Sequence, residues 1–213
     1  MIEPAADAPI RVLIVDDHPM LREGLAAVLQ SQGDIQVVGE ADDGAKAIAA
    51  FRSLLPDVTL MDLQMPNMSG VAAISAIRRD YPKARIIVLT TYGGDVQALR
   101  ALKAGAAGYL LKSAVRKELL DAIHAVHAGR RYLPPDIATE IAVHAIDEAL
   151  TGREIDILKL IAVGEANKQI ARQLGVSEET VKSHLKSIFL KLDVADRTHA
   201  VTIAAKRGII DIS

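Results

Sequence analysis

The sequence has no cysteine and no tryptophan, and aromatic residues make up only 3% of it. Without cysteine there is no disulfide framework and no thiolate metal site, which agrees with a reducing compartment and a cytoplasmic location. With so few aromatics, any core must be built from Leu, Ile, Val and Ala. No apolar run approaches the roughly 18 to 20 residues that span a bilayer, so no membrane association is expected. The first ten residues lack the basic and apolar regions of a secretory signal.

What is present fits two small globular domains. The chain has 213 residues, half of them hydrophobic and 24% charged. The formal net charge of −2 argues against a uniformly basic nucleic-acid binder. The charge is unevenly spread, however. From Thr151 to Ser213 there are 10 Lys+Arg against 8 Asp+Glu, a balance of +2 that leaves −4 for the rest. Such a bias carries weight only where the basic residues share a face.

The first part alternates short β-branched runs with helical periodicity. Strands are expected at Ile10 to Val15, Gln36 to Ala41, Val58 to Met61, Arg85 to Thr90 and Gly108 to Leu111. Helices are expected between them, as at Met20 to Gln32 and Val71 to Asp80, with the last after Ala114. Five strands alternating with helices predict an α/β doubly wound parallel sheet, a domain spanning residues 9–128. In such sheets ligands gather at the carboxyl ends of the strands. Tyr132-Leu133-Pro134-Pro135 breaks the pattern, and residues 129–149 read as a linker with one short helix, Asp136 to Ala145. From residue 150 to 213 only helix signals occur, so an all-α domain of four helices is expected there.

Acidic residues stand where a parallel sheet would collect them. Asp16 and Asp17 come after the first strand and Asp62 after the third. Clustered carboxylates repel one another, and a hard cation such as Mg²⁺ is their natural neutraliser. Thr90 and Lys112 come at the ends of the fourth and fifth strands. Lys112 can pair with a phosphoryl oxygen, and Thr90 can donate a hydroxyl hydrogen bond. The chemistry implied is attack of the Asp62 carboxylate on a phosphoryl group. His18 reads as a loop or helix-start residue rather than a ligand.

Asp16-Asp17, Asp62-Leu63-Gln64-Met65-Pro66 with Gly70, Thr90, and Gly108-Tyr109-Leu110-Leu111-Lys112 resemble the receiver domain of response regulators, over about Ile10 to His127. By that resemblance the fold is flavodoxin-like and Asp62 is the phosphoacceptor, fed by a sensor histidine kinase. Asp17 and the Gln64 backbone carbonyl would be direct Mg²⁺ ligands together with Asp62, and Asp16 would act directly or through water. Thr90 and Tyr109 would be the switch pair. Two positions depart from the common pattern. Thr91 stands where many receivers have a smaller Ala, and Ser113 where many have Pro; without proline a cis bond there would cost about 3 kcal/mol.

In the helical region Thr151 and Glu154 form a T-x-x-E capping box, opening a helix whose inner face is Ile155, Leu158 and Ile161. Gly164 ends it. Asn167 can cap the next helix, which Gly175 stops, and Ser177 caps a third with Glu178 and Glu179 in its first turn. Two helices joined by a Gly-containing turn form a helix-turn-helix pattern. In the third helix Val181, Leu185, Ile188 and Leu192 should face the core. Lys182, Ser183 and Lys186 fall on another face, available to a DNA major groove. Asp196 should cap a fourth helix, Arg197 to Arg207.

Leu150-Thr151 with Arg153-Glu154, Asn167-Lys168-x-Ile170-Ala171, Thr180-Val181-Lys182-x-His184, Lys191-Leu192 and Arg197 resemble the LuxR-type helix-turn-helix. Together the two halves are similar to the NarL/FixJ family of response regulators, bacterial two-component proteins. The resemblance implies that Lys182, Ser183 and Lys186 face DNA, joined by Asn167, Lys168, Thr180 and His184. It also implies paired half-sites in double-stranded DNA and a homodimer, formed on phosphorylation and supported by the fourth helix. No enzyme is expected beyond self-catalysed phosphotransfer and dephosphorylation at Asp62. A phosphatase working through an aspartyl phosphate would use the same acidic chemistry, but such enzymes carry a second Asp where this chain has Gln64, which cannot act as acid or base. A regulator that senses a small ligand would share the helical half, yet it has no use for the acidic residues. A further alternative is a receiver whose DNA-binding domain docks only protein partners; weak DNA binding without a steep salt slope would mark it.

Overall fold

The computed structural model describes residues 8–91, 94–114, 116–144 and 149–210. Packing divides the chain into two units, one of residues 1–91 and 99–134 and one of residues 92–98 and 135–213. Along the first part, ten elements alternate strictly: β1 (Ile10–Val15), α1 (Pro19–Gln30), β2 (Ile35–Ala41), α2 (Gly44–Leu54), β3 (Val58–Met61), α3 (Gly70–Asp80), β4 (Ile86–Thr90), α4 (Asp95–Ala104), β5 (Gly108–Leu111) and α5 (Arg116–His127).

The strands form one parallel sheet in the order β2-β1-β3-β4-β5. The chain starts near the middle of the sheet, winds outward to β2, then crosses back over β1 to build the other side. The order reverses at β1, and β1 and β3 therefore deliver their carboxyl ends side by side. Every residue of β3 and β4 is buried, as the unbroken apolar runs of a sheet covered on both faces require. The core gathers Val12, Ile14, Leu60, Ile87 and Leu110 from the strands with Leu29, Leu119, Ile123 and Val126 from α1 and α5.

Boundaries differ from expectation by a residue or two. β2 begins at Ile35 and β4 at Ile86, and α1 begins at Pro19, where the missing proline N–H costs nothing. Asp43 caps α2 by accepting from the Lys46 N–H at 2.8 Å. After α5 the chain returns to the sheet at one point. Tyr132 forms a parallel bridge to Gly108, donating to the Ala107 carbonyl and accepting from the Tyr109 N–H, both at 3.0 Å. Of the two prolines beyond it, Pro135 does more than break the chain: it opens α6 (Pro135–His144). Residue 145, the expected end of that helix, lies outside the described residues.

The C-terminal unit is built on α7 (Gly152–Ala162), α8 (Asn167–Leu174), α9 (Glu178–Leu192) and α10 (Arg197–Lys206). Ser177 accepts from the Thr180 N–H at 3.1 Å and Asp196 from the His199 N–H at 2.8 Å, the caps expected of each. Gly175 closes α8 at φ +66°, a left-handed conformation that favours glycine. Two details correct the sequence reading. On α7 the fully buried positions are Ile157, Leu158 and Ile161, while Ile155 is only partly covered. Asn167 is the first residue of α8 and not its cap; Ala166 takes that place, its N–H satisfied by Gln169 Oε1 at 2.8 Å.

On α7 the capping box is complete, and Glu154 reaches further than a cap needs. Its carboxylate, in a residue only 3% exposed, accepts from the Thr151 N–H at 2.7 Å, from Ser187 Oγ at 2.7 Å and from Lys191 Nζ at 3.0 Å. Helix α7 is thereby tied to α9. Among the described residues no helix is long and apolar enough to cross a membrane.

Candidate functional site

The sheet order sets the site. β1 and β3 pair in register, Val15 opposite Met61, so the residues just past each strand, Asp16 and Asp62, emerge together. β5 lies two strands beyond β3, and Lys112 spans the gap with its long side chain. Its Nζ sits 2.7 Å from Asp62 Oδ2 and 2.8 Å from Asp16 Oδ2. Asp16 and Asp62 are 1% and 2% exposed, so one cation bridges two buried carboxylates.

The electrostatics derive from that burial. Loss of water pushes the Asp62 carboxyl above its ordinary range; Lys112 opposes this and the nearby Asp16 charge adds to it. Burial works against a charged Lys112, yet the attraction of the Asp16 and Asp62 carboxylates outweighs that and raises the ammonium above its ordinary value. The Gln64 N–H donates to Asp62 Oδ1 at 3.3 Å, holding the second oxygen. Asp17 stands at the rim of the cluster. Asp16 Oδ2 and Asp17 Oδ1 are buried and receive no well-directed hydrogen bond; their close neighbours are Lys112 Nζ and the ring Nδ1 of His18, 2.7 Å from Asp17.

One ligand atom from each of Asp16, Asp17, His18 and Asp62 falls within 4.8 Å of the others. A donor set of carboxylate oxygens this close suits a hard divalent cation, and the under-bonded Asp16 and Asp17 oxygens fit that use. Thr90 and Tyr109 are both fully buried on adjacent strands; Thr90 ends β4, and Tyr109 is the second residue of β5, paired with Val88. The Thr90 carbonyl accepts from the Lys112 N–H at 2.7 Å, which locks the lysine's backbone to the end of β4. No cis peptide bond occurs among the described residues.

Sequence reasoning did not find one contributor. Arg22, on the first turns of α1, donates from Nη1 to the Asp16 carbonyl at 2.7 Å and so fixes the turn that carries both acids. Only its closeness to Asp16 and Asp17 along the chain hinted at it. His18, read as a loop or helix-start residue, is the N-cap of α1, and its ring lies against the acidic pair. Gly70, at the start of α3, makes room for the turn after β3: a Cβ there would lie 1.9 Å from the Asp62 carbonyl oxygen. Gly70→Ala is expected to destabilise the sheet domain by about 3 kcal/mol and to displace Asp62, because a backbone atom cannot swing aside. Urea unfolding checks this; an unchanged midpoint would contradict it.

On α9, Val181, Leu185, Ile188 and Leu192 are all buried, and Lys182, Ser183 and Lys186 are exposed together on the opposite side. Lys182 reaches Glu179 at 3.3 Å, a surface pair of little strength that leaves the ammonium available. Lys168 is also exposed, and Thr180, His184 and Asn167 are partly covered.

Comparison with known proteins covers both units. A family model described as response regulator receiver domain matches residues 12–124, and one described as bacterial regulatory proteins, luxR family, matches residues 148–204. The transcriptional regulatory protein LiaR of Bacillus subtilis is 42% identical over 210 residues, covering 95% of this chain and all of that one. The response regulator protein VraR of Staphylococcus aureus is 40% identical over 206 residues, 94% of this chain and 99% of that one. A solved structure of RcsB from Salmonella enterica serovar Typhimurium, bound to a promoter in the presence of the phosphomimetic BeF3-, is similar at a TM-score of 0.71. It is 29% identical and covers 92% of this chain and 98% of that one.

Proposed function

Because the chain belongs to the response regulators, joining a receiver domain to a LuxR-type DNA-binding domain, we propose that it is a transcription regulator switched by phosphorylation of Asp62. The observation that carries this reading is the single cation, Lys112 Nζ, held between two buried carboxylates at 2.7 and 2.8 Å. A buried charge excess of this kind is costly unless a ligand uses it.

In the proposed reaction an Asp62 oxygen attacks the phosphorus of a phosphohistidine on a sensor kinase. The new O–P bond forms as the N–P bond breaks, and the departing imidazole takes up a proton. Asp16, Asp17, Asp62 and the Gln64 carbonyl would hold Mg²⁺, which when bound supplies positive charge to the phosphoryl oxygens. Lys112 turns from the Asp62 carboxylate to a phosphoryl oxygen. Thr90, at the end of β4, offers a hydroxyl to the same group, and Tyr109 on β5 moves with it. Tyr132, bonded to the backbone of β5 on either side of Gly108, then feels any shift of that strand. The resulting change favours a homodimer whose two α9 helices read paired half-sites, with α10 at the dimer contact.

The test is DNA capture by the full chain with and without acetyl phosphate, across a range of salt. Phosphodonor should tighten capture. Lys182→Ala and Lys186→Ala should each weaken binding across sequences and reduce the salt slope by about 1. Capture that is indifferent to phosphodonor, or a slope unmoved by either substitution, would contradict the reading.

A further inference from the structure

His18 is the member of the acidic cluster with no assigned use. It occupies the N-cap of α1, yet its side chain caps nothing. Its own N–H is instead tied to Asp16 Oδ1 at 2.9 Å, which roots the ring beside the acids. From there Nδ1 lies 2.7 Å from Asp17 Oδ1 and forms a hydrogen bond with Asp16 Oδ1 at 3.2 Å, which an ion seated between them would replace. Lys112 takes the far oxygen of Asp16 and leaves these two oxygens to the imidazole nitrogen.

The spacing is that of ligands on one ion. Adjacent donors on an octahedral cation with bonds of about 2.1 Å stand about 3 Å apart. The two separations from Nδ1 bracket that value. The 2.7 Å contact to Asp17 also lacks the direction of a hydrogen bond, as suits two donor atoms aimed at a shared centre and not at each other. The ring is 68% exposed, so it can settle on an ion without disturbing the core.

We propose that His18 Nδ1 is a direct ligand in this site, so that it takes first-row divalent cations that accept imidazole, such as Co²⁺, more tightly than Mg²⁺. The inference rests on the proposed function, in which the acidic cluster holds a divalent cation. Imidazole nitrogen suits the later first-row metals, whereas Mg²⁺ keeps to oxygen and water. A nitrogen among the ligands therefore separates metals that an all-oxygen site would treat more alike.

Co²⁺ is the probe, added to the full chain at one equivalent and fixed pH. Proton NMR should show one set of strongly shifted imidazole signals, absent from both His18→Ala and His18→Asn. The second variant keeps a good N-cap, so its fold is secure. Titration should show Co²⁺ affinity falling by roughly tenfold or more in both, since even outer-shell partners of a metal ligand are worth that much. Mg²⁺ affinity should stay within about twofold, because oxygen ligands carry it. Shifted imidazole signals that persist in both variants would overturn the proposal, as would equal losses of Co²⁺ and Mg²⁺ affinity. Mg²⁺ binding that is lost in Asp17→Asn but unaccompanied by a His18-dependent imidazole signal would overturn this inference and leave the proposed function standing. Binding of neither ion by the unsubstituted chain would overturn both.

Discussion

An Asp62→Ala chain is expected to show no phosphoryl labelling above background with acetyl phosphate and Mg²⁺, while unfolding at nearly the same temperature as the unsubstituted protein. Both halves of that expectation come from the buried cluster. Asp62 is the carboxylate with a backbone N–H on one oxygen and the Lys112 ammonium on the other. Asp16, equally buried, already has its Oδ1 engaged by the His18 N–H and its Oδ2 by Lys112. Removing Asp62 leaves Lys112 and Asp16 as a one-to-one pair at 2.8 Å, so the excess buried negative charge disappears. Burying that charge was unfavourable, and the change in folding free energy should stay below about 1 kcal/mol.

Lys112→Ala is the contrasting variant. It strands two carboxylates that are 1% and 2% exposed, and it should cost about 3 to 5 kcal/mol besides slowing phosphotransfer. Mass spectrometry of the acyl phosphate and thermal unfolding read the two effects separately. Equal labelling of Asp62→Ala and the unsubstituted chain would remove Asp62 from its role.

The placement of these residues was legible in the sequence because a parallel sheet brings the carboxyl ends of its strands to one edge. Asp16 and Asp62 are far apart in the chain, yet each comes directly after an apolar β-branched run, and register does the rest. Helix α9 was equally legible: four apolar residues at three- and four-residue spacing are the four that are buried. Helix α7 shows the limit of periodicity. Ile155 and Ile157 both sit near Leu158 and Ile161, and spacing alone allows either phase. The phase was decided by Glu154, a charged residue that turns inward because Ser187 and Lys191 wait for it on another helix.

Other features had no local signal at all. The contact of His18 with Asp17 depends on a side-chain rotamer. The return of the chain to the sheet at Tyr132 is hydrogen-bonded through backbone atoms, which every residue but proline carries in full, and the Tyr132 side chain packs against the core beside it. A proline pair nearby marks a break in regular structure, and it is silent on where the preceding residue finds its hydrogen bonds.

Glu154 yields the other large effect, this time on stability. Burial pushes its carboxyl up, but the hydrogen bonds from Ser187, Thr151 and Lys191 outweigh burial and bring it from an ordinary 4.5 down to about 2. The folded state therefore holds its proton less readily than the unfolded chain. The stabilisation, about 3 kcal/mol, is fully present above pH 4.5 and is lost as pH falls from about 4.5 toward about 2. Glu154→Gln should remove that part of the acid dependence, because the substituted group does not titrate. Glu154→Ala should do more damage, since it removes the acceptor shared by Ser187, the Thr151 N–H and Lys191, a cation only 8% exposed. A loss of about 3 to 5 kcal/mol is expected. Hydrogen exchange of the α7 and α9 amides across pH reads the effect in the full chain. Protection that falls equally with pH in the unsubstituted and Glu154→Gln chains would show that the carboxylate's network is not what joins these helices.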